Sequence, residues 1–284
     1  MPQRIRGIVK TASRIVSMKI ALVQFNAGPD KDENVRRALL FVEDAAGKKA
    51  EFILLPEVFH CRGDLRNPFD LERTAEKIPG GSLKPFMDLA ARKKIFILAG
   101  SIIERADEKN KAYNTSVMID PKGRIQARYR KIHLFDAKIR SASFKESKIF
   151  KAGTRSVLAK VGEFTIGMSV CYDLRFPDLY QVYRRAGAHL LSIPSCFTQT
   201  TGRAHWEILL RARAVETQTF VLAPNQVGKD ARGIVSYGNS MVIGPWGEVL
   251  VRGSGNKEEI LFANVSLQDI KKSQKILPGF RKTV

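Results

Sequence analysis

The chain has 284 residues, 44% of them hydrophobic and 27% charged, and carries a formal net charge of +20. That length can bury a substantial core, and the composition is ordinary for a globular enzyme. A transmembrane helix is excluded, because the longest strongly apolar run, IFILAGSII at 95–103, is far short of the roughly 20 residues needed to cross a bilayer.

The basic excess could mean attraction to nucleic acid or to a membrane surface, or a field that draws acidic small molecules. Lys and Arg are spread along the whole chain, with only short clusters such as ARYRK at 127–131. A nucleic-acid protein concentrates its charge in a stripe, so a scattered, solvated basic surface is the better reading. Cys61, Cys171 and Cys196 cannot all pair with one another and show neither CxxC nor zinc-like spacing. They point to a reducing cytoplasm without a disulfide framework.

Residues 1–17 hold basic residues and no acid, and lack the apolar stretch of a secretory signal. They read as an N-terminal extension, leaving 18–284 as one domain. From Met18 strand and helix patterns alternate. A first strand at 19–25 is followed by a helix at 31–48, with Val35, Leu39, Val42 and Ala46 on one face and Asp32 as its cap, Asn34 being the rival. A strand at 52–56 and a helix at 82–93 come next. Strands at 95–103, 113–120 and 125–131 follow, the last two separated by the turn DPKG. The second half offers strands at 164–171, 188–194, 219–225, 240–244, 248–252 and 259–265, with helices at 177–187 and 203–218. This alternation predicts one α/β domain with helices covering sheet faces. The hairpins make its sheets mixed rather than purely parallel.

Chemistry-bearing residues stand at strand ends, where ligand sites of α/β proteins gather. Glu57 follows FILLP, Lys131 closes a basic strand, Glu146 lies in FKES, and Cys171 ends the run TIGMSVC just before YDLRFPD. Taken singly, Glu57 reads as a solvated loop residue, Lys131 as a guard of a strand edge and Glu146 as half of a surface ion pair. Cys171 alone reads as a small core residue, although the abrupt change to a polar turn would hold a thiol at a rim beside free backbone N–H groups. None of the four histidines is placed as a base for Cys171. His205 reads as a helix-packing residue and His133 as a neighbour of Lys131. No His/Asp/Glu cluster has metal spacing, and GSG at 253–255 lacks the context of a phosphate loop, so neither metal nor cofactor is expected.

Together and in this order, LPEVF, RKIHLFD, FKES and CYDLRFP resemble the carbon-nitrogen hydrolase (nitrilase) superfamily. AYNTSVMIDPKG, TGRAHWEILLRARAVETQTFVLAPNQ and YGNSMVIGPWGEV extend the resemblance over 18–266, nearest the omega-amidase and deaminated-glutathione amidase branches. Asn239 and Arg203 stand where that pattern carries His and Pro. The resemblance implies a four-layer αββα sandwich, homodimers or larger homo-oligomers, and a small amide as substrate. It implies Cys171 as nucleophile, Glu57 as general base, and Lys131 opposite the oxyanion with the Tyr172 N–H as second donor. Glu146 would orient the lysine, with Phe197 and Thr201 on the pocket wall. The expected reaction is hydrolysis of a small linear carboxylate-bearing amide to acid and ammonia through a thioester. Nitrile or N-carbamoyl amino acid hydrolysis on the same residues is the enzymatic alternative, and an idle basic protein engaging nucleic acid is the alternative of another class.

Overall fold

The computed structural model describes residues 15–139 and 142–279; most of the expected N-terminal extension lies outside them. The first half forms β1 (Ser17–Gln24), α1 (Lys31–Gly47), β2 (Phe52–Leu54), α2 (Pro68–Thr74), α3 (Lys84–Lys93), β3 (Phe96–Arg105), β4 (Ala112–Ile119) and β5 (Ile125–Arg130). A hairpin of β6 (Asp136–Ile139) and β7 (Ala142–Lys145) precedes β8 (Val157–Val161), β9 (Phe164–Met168), α4 (Pro177–Arg185) and β10 (Leu190–Ser192). Then come α5 (Gln199–Thr217), β11 (Phe220–Ala223), β12 (Val227–Lys229), β13 (Val235–Tyr237), β14 (Met241–Ile243), β15 (Val249–Arg252), β16 (Glu259–Ser266) and α6 (Leu267–Ile276).

Two six-stranded mixed sheets result, ordered β16-β1-β2-β3-β4-β5 and β15-β14-β11-β10-β9-β8. Side-chain alternation assigns the faces. Ala21, Val23, Ile53 and Ile97 point to α1 and α3, meeting Val35, Ala38, Val42, Phe86 and Leu89. Ile20, Leu22, Phe52, Leu54 and Leu98 point the other way, into a core shared with Ile166, Met168, Leu190 and Val242 of the second sheet. Tyr180 and Tyr183 of α4 and Trp206, Leu210 and Ala214 of α5 close that core from outside. The order is helix, sheet, sheet, helix, as expected.

Three parallel strands run through the middle of each sheet: β1, β2 and β3 in one, β9, β10 and β11 in the other. A bridge between Phe25 and Gln226 joins the carboxyl ends of β1 and β11. The segments carrying Glu57, Cys171 and Cys196 follow β2, β9 and β10, so they leave the sheets at that shared edge.

Several expectations need correction. The α1 cap is Asp30, whose side chain accepts from the Glu33 N–H; the helix starts at Lys31, so Asp32 and Asn34 lie inside its first turn. Helix α5 begins at Gln199 rather than 203, because Thr198 caps it. The strand expected over 164–171 stops at Met168, and Cys171 opens a 3-10 turn to Arg175. The hairpins β6–β7 and β12–β13, strand β8 and helices α2 and α6 were not expected: they are short, and β6–β7 alternates around Lys and Ser rather than branched apolar residues.

His60, in the segment after β2, is fully buried. Its Nε2 accepts the Ile103 N–H at 3.3 Å, and its Nδ1 has no partner among the described residues. Burial lowers its pKa from 6.5 to about 4. The unfolded ring therefore binds a proton that the folded ring refuses. Stability is complete above pH 6.5 and falls as pH drops through the window to about 4, by about 3 kcal/mol. His60→Gln, which keeps an acceptor for Ile103, is expected to flatten that acid loss in urea titrations at pH 7 and 4.5. An unchanged difference between the two pH values would assign the loss to other groups.

Candidate active site

Lys131, directly after β5, is 1% exposed. Its Nζ lies 3.0 Å from Glu57 Oε1 and 2.9 Å from Glu146 Oε2, so one buried ammonium is clasped by two carboxylates from distant parts of the chain. Burial works against its charge, but Glu146 and Glu57 override it and hold its pKa well above that of a free lysine. Asn114 of β4 donates to Glu57 Oε1 at 2.8 Å, and the Phe135 N–H donates to Glu146 Oε2 at 2.7 Å. Burial raises the Glu146 pKa against the opposing pull of Lys131.

The backbone is strained at both ends of this cluster. Cys171 has φ 50° and Val58, next to Glu57, has φ 47°. A branched residue in the left-handed region is costly and persists only where surroundings enforce it. Ser101 Oγ accepts the Val58 N–H at 2.9 Å, and Gln226 Nε2 donates to the Glu57 carbonyl at 2.8 Å. The Cys171 N–H donates to the Pro194 carbonyl at 3.0 Å. Burial pushes the Cys171 thiol well above the ordinary thiol range. The Glu57 anion adds to that shift, while the Lys131 ammonium and the Cys196 N–H oppose it. The lysine's pull is outweighed, so the resting sulfur keeps its proton. The thiol feels Glu57 and Lys131 through space; the hydrogen bond it receives comes from the Cys196 backbone.

Asp173 fixes the turn that carries Cys171. It is fully buried and accepts from Tyr129 Oη at 2.7 Å, the Val170 N–H at 2.9 Å and the His133 N–H at 3.0 Å. The turn is thereby tied to β5 and to the residues just past Lys131. His133 stacks on Phe176 with ring centroids 3.6 Å apart and meets Asp173 through Nδ1 at 2.7 Å, so it braces the turn rather than packing beside Lys131. Sequence reasoning missed Asp173; its signal was a carboxylate two residues past a strand-end cysteine.

Glu57, Lys131 and Glu146 are in contact, with Cys171 inside their field. Tyr172 follows Cys171 in the turn, its ring 5.0 Å from that of Phe135. Phe197 packs on Trp206 at 4.7 Å. The Arg175 guanidinium, which the sequence did not single out, lies 5.7 Å from the Tyr172 ring and 5.3 Å from the Phe197 ring. Thr201 is a turn further on, its hydroxyl 3.0 Å from that of Thr198. His205 is exposed and meets Arg175 at 3.2 Å instead of packing in the helix. Asn239 holds φ 51°, a conformation asparagine tolerates well, and Trp206 Nε1 donates to its carbonyl at 2.7 Å.

The carbon-nitrogen hydrolase family model matches residues 19–275. The chain belongs to this family. Human omega-amidase NIT2 is 36% identical over 94% of this hydrolase and 95% of its own length. The deaminated glutathione amidase of Dictyostelium discoideum is 38% identical over 92% of each chain. Among solved structures, the C. elegans NitFhit protein superposes with a TM-score of 0.87 at 35% identity, covering 94% of this chain and 65% of that longer one. Saccharomyces cerevisiae Nit3, a member of branch 10 of the nitrilase superfamily, superposes with a TM-score of 0.83 at 29% identity over 94% and 96% of the two chains. This hydrolase acts on carbon–nitrogen bonds other than peptide bonds. Among the described residues no helix is long and apolar enough to cross a membrane.

Proposed function

We propose that this amidohydrolase cleaves a small linear carboxylate-bearing amide to acid and ammonia through a thioester on Cys171. The observation that carries the reading is the buried Glu57–Lys131–Glu146 chain, whose charges act on a cysteine in a strained strand-end turn. Two of its relatives are amidases by name, which supports an amide over a nitrile or carbamoyl substrate.

The residues divide the work as follows. Glu57 takes the Cys171 proton as sulfur attacks the carbonyl carbon. The resulting oxyanion faces the Lys131 ammonium and the Tyr172 N–H. The C–N bond then breaks, the proton held by Glu57 passes to nitrogen, and ammonia leaves. A water deprotonated by Glu57 attacks the thioester, releasing the acid and restoring the thiol. Glu146 keeps Lys131 charged and fixed. Ammonia release from a panel of amides, nitriles and carbamoyl amino acids, with mass spectrometry of the trapped enzyme, tests this. An acyl adduct on Cys171 from acid amides is expected; turnover of nitriles or carbamoyl compounds alone would replace the assignment.

Unpaired thiols at Cys61, Cys171 and Cys196 support a cytoplasmic setting. Exposed Ile208 and Val215 of α5, with Trp246 and Leu250 of the β14–β15 hairpin, support a homodimer through this face; Arg211 Nε ties helix and hairpin by donating to the Gly247 carbonyl at 2.8 Å. Sedimentation at micromolar concentration should give twice 31.8 kDa; a monomer would remove the dimer from the reading.

A further inference from the structure

Cys196 carries a thiol for which the proposed mechanism has no use. It stands in the segment after β10, beside the turn that carries Cys171, and both residues are part-exposed free cysteines. The Cys171 N–H donates to the Pro194 carbonyl at 3.0 Å, and the Cys196 N–H in turn donates to the Cys171 sulfur. Charge on the Cys196 sulfur also acts on the Cys171 thiol.

The backbone around Cys196 is fixed on both sides. The Ser195 N–H donates to the Pro224 carbonyl at 2.9 Å, the Ser195 carbonyl accepts the Gln226 N–H at 2.9 Å, and the Phe197 N–H donates to Asn225 Oδ1 at 3.0 Å. The Cys196 sulfur itself rests against Ser236 Oγ at 3.4 Å. A thiol is a weak hydrogen-bonding group, so that contact gives way easily. Rotation about the Cα–Cβ bond then turns the sulfur from Ser236 toward the sulfur that its own N–H already meets, with the backbone left in place. Cys61 is placed differently: it is buried with Leu71, Ala75 and Ile103, and its sulfur donates to the Pro29 carbonyl at 3.5 Å.

We propose that Cys171 and Cys196 form a modification site, at which a hydroperoxide drives an intrachain disulfide that switches the hydrolase off reversibly. Glu57 takes the Cys171 proton, and the sulfur attacks one peroxide oxygen. The O–O bond breaks, the sulfur is oxidised to a sulfenic acid, and the departing oxygen takes that proton and leaves as water or, from an organic hydroperoxide, as an alcohol. The Cys196 sulfur then attacks the Cys171 sulfur. The S–S bond forms, the S–O bond breaks, and the hydroxyl leaves as water with the Cys196 proton. The pair of thiols gives up two electrons and the peroxide gains them. A dithiol reverses the change by exchange and becomes a disulfide itself. Disulfides of this transient, sensing kind are the ones a reducing cytoplasm permits. The switch rests on Cys171 being the reactive sulfur of the amidase reading, and it gives Cys196 a task outside that reaction.

The full chain is exposed to excess hydrogen peroxide and then to dithiothreitol, with ammonia release read at each stage. The wild type is expected to lose activity and to regain about 80% or more with dithiothreitol, whereas Cys196→Ala regains less than about 20%, because an unresolved sulfenic acid goes on to a sulfinic acid that thiols do not reduce. Cys61→Ala should match the wild type. Non-reducing peptide mapping of the oxidised wild type should join the Cys171 peptide to the Cys196 peptide of the same chain. Full activity under peroxide, a loss that dithiothreitol does not reverse, equal recovery in Cys196→Ala, or a map that joins either cysteine to Cys61 or to a second chain would overturn the proposal. If Cys196→Ala does not fold, Cys196→Ser takes its place, since serine keeps the size and cannot form the disulfide. If the wild type hydrolyses no amide, the amidase reading has failed separately, and the peptide map, which needs no turnover, decides the disulfide.

Discussion

Cys171→Ala should remove turnover, lowering kcat by about 10⁴-fold or more, while leaving the fold intact. In the proposed mechanism Cys171 opens a covalent route that no neighbouring group can supply. Alanine occupies the φ 50° position at the same backbone cost as cysteine and keeps the Cys171 N–H bonded to the Pro194 carbonyl. The stability change is therefore small, below about 1 kcal/mol, since only one sulfur atom is lost from a partly exposed residue. Steady-state ammonia release and urea denaturation on one preparation check both halves. Retained ammonia release would remove Cys171 from the mechanism, and gross destabilisation would mean that its sulfur holds the turn.

Lys131→Met should cost both activity and stability. Methionine matches the length of lysine but leaves Glu57 and Glu146 buried face to face without a cation. Breaking a buried ion pair from one side typically costs about 3–5 kcal/mol. The deficit should depend on pH with a definite sign. Burial already raises the Glu146 pKa, and without Lys131 the opposing pull is gone, so the folded variant binds more protons than the unfolded chain. Its deficit relative to wild type is largest at neutral pH and shrinks as pH falls through that raised pKa. Urea titrations of both proteins at pH 8 and pH 5 read this directly, and the comparison cancels the contribution of His60. A deficit below about 1 kcal/mol, equal at both pH values, would show that the carboxylates find other partners.

Apart from β8, the strands that build both sheets were legible, most of them as short runs of Ile, Leu, Val or Phe between turn residues. Caps and one boundary failed where local chemistry outweighed periodicity: Asp30, not Asp32, captures the Glu33 N–H at the expected start of α1, and Thr198 starts α5 four residues earlier than periodicity indicated. The Thr198 cap was hidden because the loop before it is built by tertiary contacts, with the Phe197 N–H donating to Asn225 Oδ1 at 3.0 Å.

The site shows the same division. Sequence by itself determined the kinds of groups and their strand-end positions: a thiol at 171, carboxylates at 57 and 146, an ammonium at 131, in an order that marks the family. Only tertiary structure decided that Lys131 lies within 3.0 Å of both carboxylates, and that Asp173 ties the cysteine turn to Tyr129 and His133. The reason is electrostatic. A side chain's charge is written in its chemistry, but its effect depends on burial and on partners tens of residues away. Those partners exist only once the carboxyl ends of two parallel strand sets meet at one edge.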